Sequence, residues 1–298
     1  MQLEPNRIKT KEVLQWKGVH LLNFSFSSCS QKVRILLEEK GVDYRSREID
    51  LKSGANATEW YLGINSRGVV PVLVHDGDVH IESNDILRYI DEKLGNANHN
   101  WVPDNSTSRM IVDKLLQLED DLHDSLRAIT MGFLLPHAVA KKSDAELQAY
   151  AQNGPDDPYR TKQIEWWELF AKQGVSAQEA KDAVAAFYEA FSELDEIVLD
   201  QDWLLGDRPT VLDIAWFITI HRVTQAGYPL SVHPNLERLF TRMRARSNFR
   251  RELGRGPLIV HVAGLIYRTL RRIQNTNLKS VFRSIEPELG TNARRVSA

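Results

Sequence analysis

Three short stretches in the first hundred residues carry groups that could hold a thiolate, a peptide backbone and a carboxylate. The first is Ser27-Ser28-Cys29, a polar run between a β-rich segment and a helical stripe. A helix N-terminus exposes free N–H groups and a partial positive charge, so it favours thiolates and other anions. A hydroxyl there can donate a hydrogen bond to a bound thiolate and lower its pKa. A hundredfold gain in thiolate corresponds to about 2.7 kcal/mol. Plain N-capping by serine is the competing reading. Cys29 could act as a redox nucleophile itself, but residues two apart on a helix face different ways.

The second stretch is Val70-Pro71. A proline inside a strand forfeits a ladder N–H, so it belongs at an edge or at a turn into the strand. A cis peptide here would present the N–H and C=O of Val70 to an extended peptide, as in strand-type capture. An edge proline without a ligand is the alternative. The third stretch, Glu82-Ser83, opens a helix. Free N–H groups and the Ser83 hydroxyl can hold a carboxylate, and Glu82 an ammonium. A simple cap is again the alternative.

The surrounding pattern supplies elements to position these residues. Val19 to Phe24 reads as a strand, and the stripe Val33, Ile35, Leu36, Leu37 as a helix stopped at Lys40-Gly41. Tyr44 to Leu51 reads as a second strand, parallel to the first because a helix connects them. Val69 to His75, Asp76-Gly77 and Val79 to Ile81 form a hairpin, followed by a helix that ends at Gly95. From Asn105 onward helical periods dominate, over Arg109 to Leu126 and Ala177 to Leu199. Thr210 to Asp213 has the form of a capping box before the apolar run Ile214 to Ile218, which reads as a buried central helix. The expected organisation is an α/β domain over 18–95, a linker over Gly95 to Asn105, and an all-helical domain over 106–255. A basic tail, helical in part over Gly264 to Arg272, fills 256–298.

Composition narrows the class. The chain has 298 residues, enough for two cores, with 42% hydrophobic residues and a net charge of −2. That balance calls for no nucleic acid. A single cysteine excludes an internal disulfide and any cysteine-rich metal site. The histidines show no metal-ligand spacing, and no glycine-rich phosphate loop implies a nucleotide. No secretory signal and no membrane-spanning apolar stretch are expected. Trp166, Trp167, Trp203 and Trp216 read as core or pocket wall.

Taken in order, SSCSQKVRILLEEKG, VVPVLVHDG and ESNDILRYIDEKL resemble the N-terminal domain of the glutathione S-transferase superfamily. TVLDIAWF is similar to the capping box of that family's central helix. The resemblance covers Val19 to Leu253. It implies a thioredoxin-like domain followed by an all-helical one, a cis-Pro71, backbone pairing of glutathione with Val70, and γ-glutamyl binding by Glu82 and Ser83. Ser27 matches the position of the family's catalytic hydroxyl or cysteine, and Arg67 is a candidate for the glycine carboxylate. Glutathione is then the cosubstrate, with no metal or nucleotide, in a cytoplasmic homodimer.

The expected activity is attack of the glutathione thiolate on a small, aromatic or apolar electrophile, by conjugation or β-aryl ether cleavage. The Ser-Ser-Cys run looks like the zeta class, which isomerises maleylacetoacetate. Extra length around 134–173 resembles instead the β-etherase branch and the ganglioside-induced differentiation-associated proteins. Tyr159 and His137 in that insert could line the second-substrate site. Alternatives are a Cys29-dependent thiol reductase and a non-catalytic scaffold whose basic tail contacts a partner or a membrane surface.

Overall fold

The computed structural model describes residues 1–95, 99–256 and 258–296, with side chains described to residue 289. Part of the expected linker, residues 96–98, and Pro257 therefore lie outside the described residues. The chain forms two compact units. Met1–Val102, Lys141–Lys172 and Arg251–Arg255 make the first; Pro103–Ala140, Gln173–Arg250 and Gly256–Ala298 make the second.

The first unit contains a four-stranded sheet of order β2-β1-β3-β4, with β1 Val19–Asn23, β2 Arg45–Glu48, β3 Val72–His75 and β4 Asp78–His80. β1 and β2 are parallel, whereas β1–β3 and β3–β4 are antiparallel. Asp76 and Gly77 turn the β3–β4 hairpin with φ of 50° and 94°, the two positive values that a tight two-residue hairpin turn requires. Helices α1 (Ser28–Glu39), α2 (Glu59–Leu62) and α3 (Ser83–Lys93) complete the thioredoxin-like α/β arrangement, with α1 packed beside α3. The third strand is shorter than its apolar run. Its ladder starts at Val72, because Pro71 has no N–H to give.

Two parts of this unit lie outside the expected domain. Leu3, Ile8 and Val13 are buried in one cluster with Val72, Val74 and Val79. Leu3 N donates to Val79 O at 2.8 Å and Ile81 N to Met1 O at 2.9 Å, so the N-terminal arm covers the outer edge of β4. The arm is mostly polar and its apolar residues follow no period, so no local pattern marks it. Residues 141–172, expected in the helical domain, also group with this unit.

The remaining helices are α4 (Ser106–Asp121), α5 (His123–Ile129), α6 (His137–Ala140), α7 (Asp144–Gln152), α8 (Pro158–Gln173) and α9 (Ala177–Ile197). They are followed by α10 (Val211–Ala226), α11 (Pro234–Ala245), α12 (Ser247–Leu253), α13 (Leu258–Ile273) and α14 (Leu278–Val296). The second unit is all-helical. The stretch expected as one helix from Arg109 to Leu126 breaks at Leu122 into α4 and α5. α10 is the buried central helix: every residue from Val211 to Ile220 is buried. Its Asp213 carboxylate accepts from Thr210 N at 2.7 Å, Thr210 Oγ1 at 3.0 Å and Leu204 N at 3.0 Å. Among the described residues no helix is long and apolar enough to cross a membrane.

One ion pair organises the first unit from inside. Arg34 on α1 and Glu252 both have fully buried side chains. Arg34 Nε donates to Glu252 Oε1 at 3.0 Å, and its Nη atoms donate to Asn23 Oδ1, Phe24 O and Ser25 O. Breaking a buried pair leaves an uncompensated charge, a cost of about 3–5 kcal/mol. Glu252→Ala is expected to lose about that much unfolding free energy, and Glu252→Gln less, since an amide oxygen still accepts. Urea denaturation of the two variants checks the order.

Candidate active site

Strand register places the three chemical stretches at one end of the sheet. Leu22 on β1 lies opposite Val72 on β3, and Leu73 opposite His80 on β4. One step beyond those pairs come Asn23, Pro71 and Ile81, then the segments carrying Ser27, Val70 and Glu82. Two antiparallel pairings thus turn three stretches spread over 57 positions of sequence into neighbours along one edge.

Ser27 is the N-cap of α1; its Oγ accepts from Ser30 N at 3.3 Å. The capping reading therefore holds. A capping hydroxyl uses only an acceptor lone pair, and its proton remains to be donated. Ser27 is half-buried. The turn before it is tied down on both sides: Ser30 Oγ accepts from Phe24 N at 3.3 Å, and Arg34 holds the carbonyls of Phe24 and Ser25. Cys29 is half-buried in the first turn of α1.

The Val70–Pro71 peptide is cis. Val69 O accepts from Tyr61 Oη at 2.7 Å and Asn65 Nδ2 at 2.9 Å, which fixes the strand just ahead of it. Among the described residues, neither the N–H nor the C=O of Val70 has a hydrogen-bond partner. Val70 as a whole residue is 7% exposed.

Glu82 and Ser83 open α3. Glu82 has φ 66° and ψ 115°, a conformation that costs a non-glycine residue about 1–3 kcal/mol. Ser83 Oγ is buried and makes no hydrogen bond. Glu82 is ion-paired with Arg67. The structure thus brings Arg67 to the start of α3.

The loop that carries Arg67 is held by α7 and α8, and no local pattern marks the residues that hold it. Tyr150 Oη on α7 donates to Arg67 O at 2.7 Å. Arg160 Nη1 on α8 donates to Ser66 O at 2.7 Å, and Ser66 Oγ to Asp157 Oδ2 at 2.6 Å. Gly68 has φ 65°, and a Cβ there would lie 2.2 Å from Tyr150 Cε2, so only glycine fits. The Tyr159 ring stacks under Arg67 at 5.1 Å. Tyr159 therefore serves the Arg67 side of the first unit, while His137 begins α6 in the second. These contacts span 83 to 94 positions of sequence, and only the fold makes them adjacent.

Of the tryptophans, Trp216 and Trp203 are buried, and Trp166 stacks on Phe170 at 5.0 Å. In the second unit, Glu119, Asp120 and His123 bring potential ligand atoms within 4.8 Å of one another. Glu119 is fully buried there and accepts from Thr219 Oγ1 at 2.7 Å, a contact that ties α4 to α10.

Comparison with known proteins agrees with this geometry. Residues 26–93 match the glutathione S-transferase N-terminal domain and residues 164–245 the glutathione S-transferase C-terminal domain. The chain belongs to the glutathione S-transferase superfamily. It is 26% identical over 244 residues to a tetrachloro-p-hydroquinone reductive dehalogenase of Sphingobium chlorophenolicum, covering 78% of this chain and 94% of the relative. It is 26% identical over 233 residues to maleylacetoacetate isomerase of Pseudomonas aeruginosa, covering 77% and 93%. The fold is similar to that of the β-etherase LigF of a Sphingobium species, with a TM-score of 0.68 at 23% identity, covering 80% of this chain and 99% of that one.

His80, on β4 two residues before Glu82, stacks on Tyr89 at 3.7 Å. Burial, then the nearby Met1 ammonium, push its pKa down to about 4. A histidine more acidic in the folded than in the unfolded state supports folding fully above pH 6.5 and loses that support as pH falls towards 4. The loss expected from His80 is about 3 kcal/mol. His80→Phe keeps the stack and removes the titration. Guanidinium midpoints between pH 7 and 4 should fall less steeply for the variant than for the wild type.

Proposed function

We propose that this protein is a glutathione-dependent transferase acting on small electrophiles with an aromatic or apolar framework. The supporting observation is the row of unsatisfied groups at one end of the sheet. Among the described residues the Val70 N–H and C=O have no partner, and the Ser83 hydroxyl is buried without one. An extended γ-glutamyl-cysteinyl-glycine fits that row. Its cysteine backbone would pair with Val70, directing the sulfur towards the start of α1. Its γ-glutamyl carboxylate would meet Ser83 and the free N–H groups of α3, and its ammonium would meet Glu82. Because Arg67 pairs with Glu82, we assign Arg67 to the γ-glutamyl end rather than to the glycine carboxylate.

Ser27 then donates its free proton as a hydrogen bond to the sulfur and favours the thiolate. The thiolate electron pair forms the S–C bond. A halide or aryloxide leaves with the electrons of the broken bond, or an activated double bond takes them up. The proton of the thiol passes to water. Relatives named for dehalogenating a chlorinated hydroquinone and for isomerising maleylacetoacetate support a substrate whose electrophilic carbon belongs to an aromatic or conjugated system.

Thermal unfolding with and without millimolar glutathione is the first check. Glutathione at about 100 times its dissociation constant adds about 2.7 kcal/mol, a rise of several degrees. Ser27→Ala should keep that rise and lower the rate of conjugation by about ten- to a hundredfold. An unchanged rate in Ser27→Ala, with activity lost in Cys29→Ala, would replace this assignment by a cysteine-dependent reductase.

A second variant separates stability from binding. Glu82→Gly removes the backbone strain, so its melting temperature without ligand should stay level or rise. The glutathione-dependent rise should shrink, because the ammonium partner is gone.

A further inference from the structure

The most exposed apolar surface of the described residues lies on α13. Leu258, Ile259, Val262, Leu265, Ile266, Leu270 and Ile273 are each between 46% and 77% exposed, and the helix buries none of its residues. At 100° per residue they fall in an arc of about 140°, along a helix of about 24 Å. The opposite side, with Val260, Gly264, Tyr267 and Arg271, faces the body of the second unit. There the Arg271 guanidinium donates to Gly132 O and lies over Phe133 at 4.6 Å. The apolar arc points the other way, into solvent.

Charge flanks that arc on one side. His261, Arg268 and Arg272 follow one another along its border. A cleft of about 510 Å³ adjoins its C-terminal end, lined by Thr224, Tyr228, Arg272, Asn277, Lys279 and Arg283. Among the described residues Arg272, Lys279 and Arg283 make no side-chain hydrogen bond or ion pair. From residue 256 to 285 the sequence has five Lys or Arg and no Asp or Glu.

We propose that α13 and this cleft form a peripheral docking surface for an anionic phospholipid membrane. The apolar arc would enter the boundary between headgroups and acyl chains, with α13 in the plane of the surface, and the three cations would take lipid phosphates. A second copy of the chain fits the same face poorly, since it would set Arg268, Arg272, Lys279 and Arg283 against the same four cations. The proposal concerns the second unit alone and is independent of the glutathione reading.

Co-sedimentation of the full chain with vesicles of phosphatidylcholine alone, or mixed with phosphatidylserine, tests it. Binding is expected to the mixed vesicles only, and to weaken as salt rises. Arg272→Gln with Arg283→Gln should weaken partition by on the order of 25-fold. Leu265→Glu with Ile266→Glu should abolish it. All four positions are solvent-facing, so the melting temperature of both variants should match the wild type. Equal binding to both vesicles, no binding to either, or undiminished binding by the Leu265/Ile266 variant would each overturn the proposal. So would a wild-type oligomer, seen by sedimentation velocity without vesicle binding, that the Leu265/Ile266 variant dissociates; the arc would then be a protein interface.

Discussion

The first unit depends on a guanidinium buried beneath its chemical edge. Arg34 carries five N–H donors and no acceptor. In the structure it spends them on the Glu252 carboxylate, the Asn23 amide oxygen and the carbonyls of Phe24 and Ser25. The last two belong to the turn that leads from β1 into Ser27. A charge with no exposure to water persists only when its partners are complete. The shape of that turn, and with it the direction of the Ser27 hydroxyl, is therefore part of satisfying Arg34. The carboxylate that completes the set comes from 218 positions away, so the turn is secured by a distant part of the chain.

Around that anchor the sheet edge gives up local stability. Glu82 sits at positive φ, the Ser83 hydroxyl is buried without a partner, and the Val70 backbone groups are unused. Each is unfavourable by itself, and a ligand of the kind proposed would relieve all three at one end of one sheet. The neighbouring groups are fully used. Val69 O receives two donors, Gly68 fits against Tyr150, and the Ser66–Arg67 backbone is held by α7 and α8. A rigid frame of this kind would keep the proposed site in place before its ligand arrives.

The relatives named for dehalogenation, ether cleavage and isomerisation share one domain pair and differ in the reaction for which each is named. Residues 141–172 brace the loop that carries Arg67, and the segment after residue 256 presents an apolar and basic surface.

Much of the architecture was legible from the residues. β-rich runs, helical periods and the Asp76-Gly77 turn located the four strands and the helices α1 and α3 of the first unit. Thr210 and Asp213 announced the central helix, and the Ser27, Val70-Pro71 and Glu82-Ser83 stretches stood out by type. These signals act over a few residues, and chain stiffness and local hydrogen bonding are enough to express them. What lay beyond reach was every pairing made across the chain. The buried Arg34–Glu252 pair, the N-terminal arm on β4, the grouping of 141–172 with the first unit, and the partnership of Arg67 with Glu82 have no local signature. They arise when burial forces distant polar groups to find partners and apolar edges to find cover, and only the folded topology decides which are within reach.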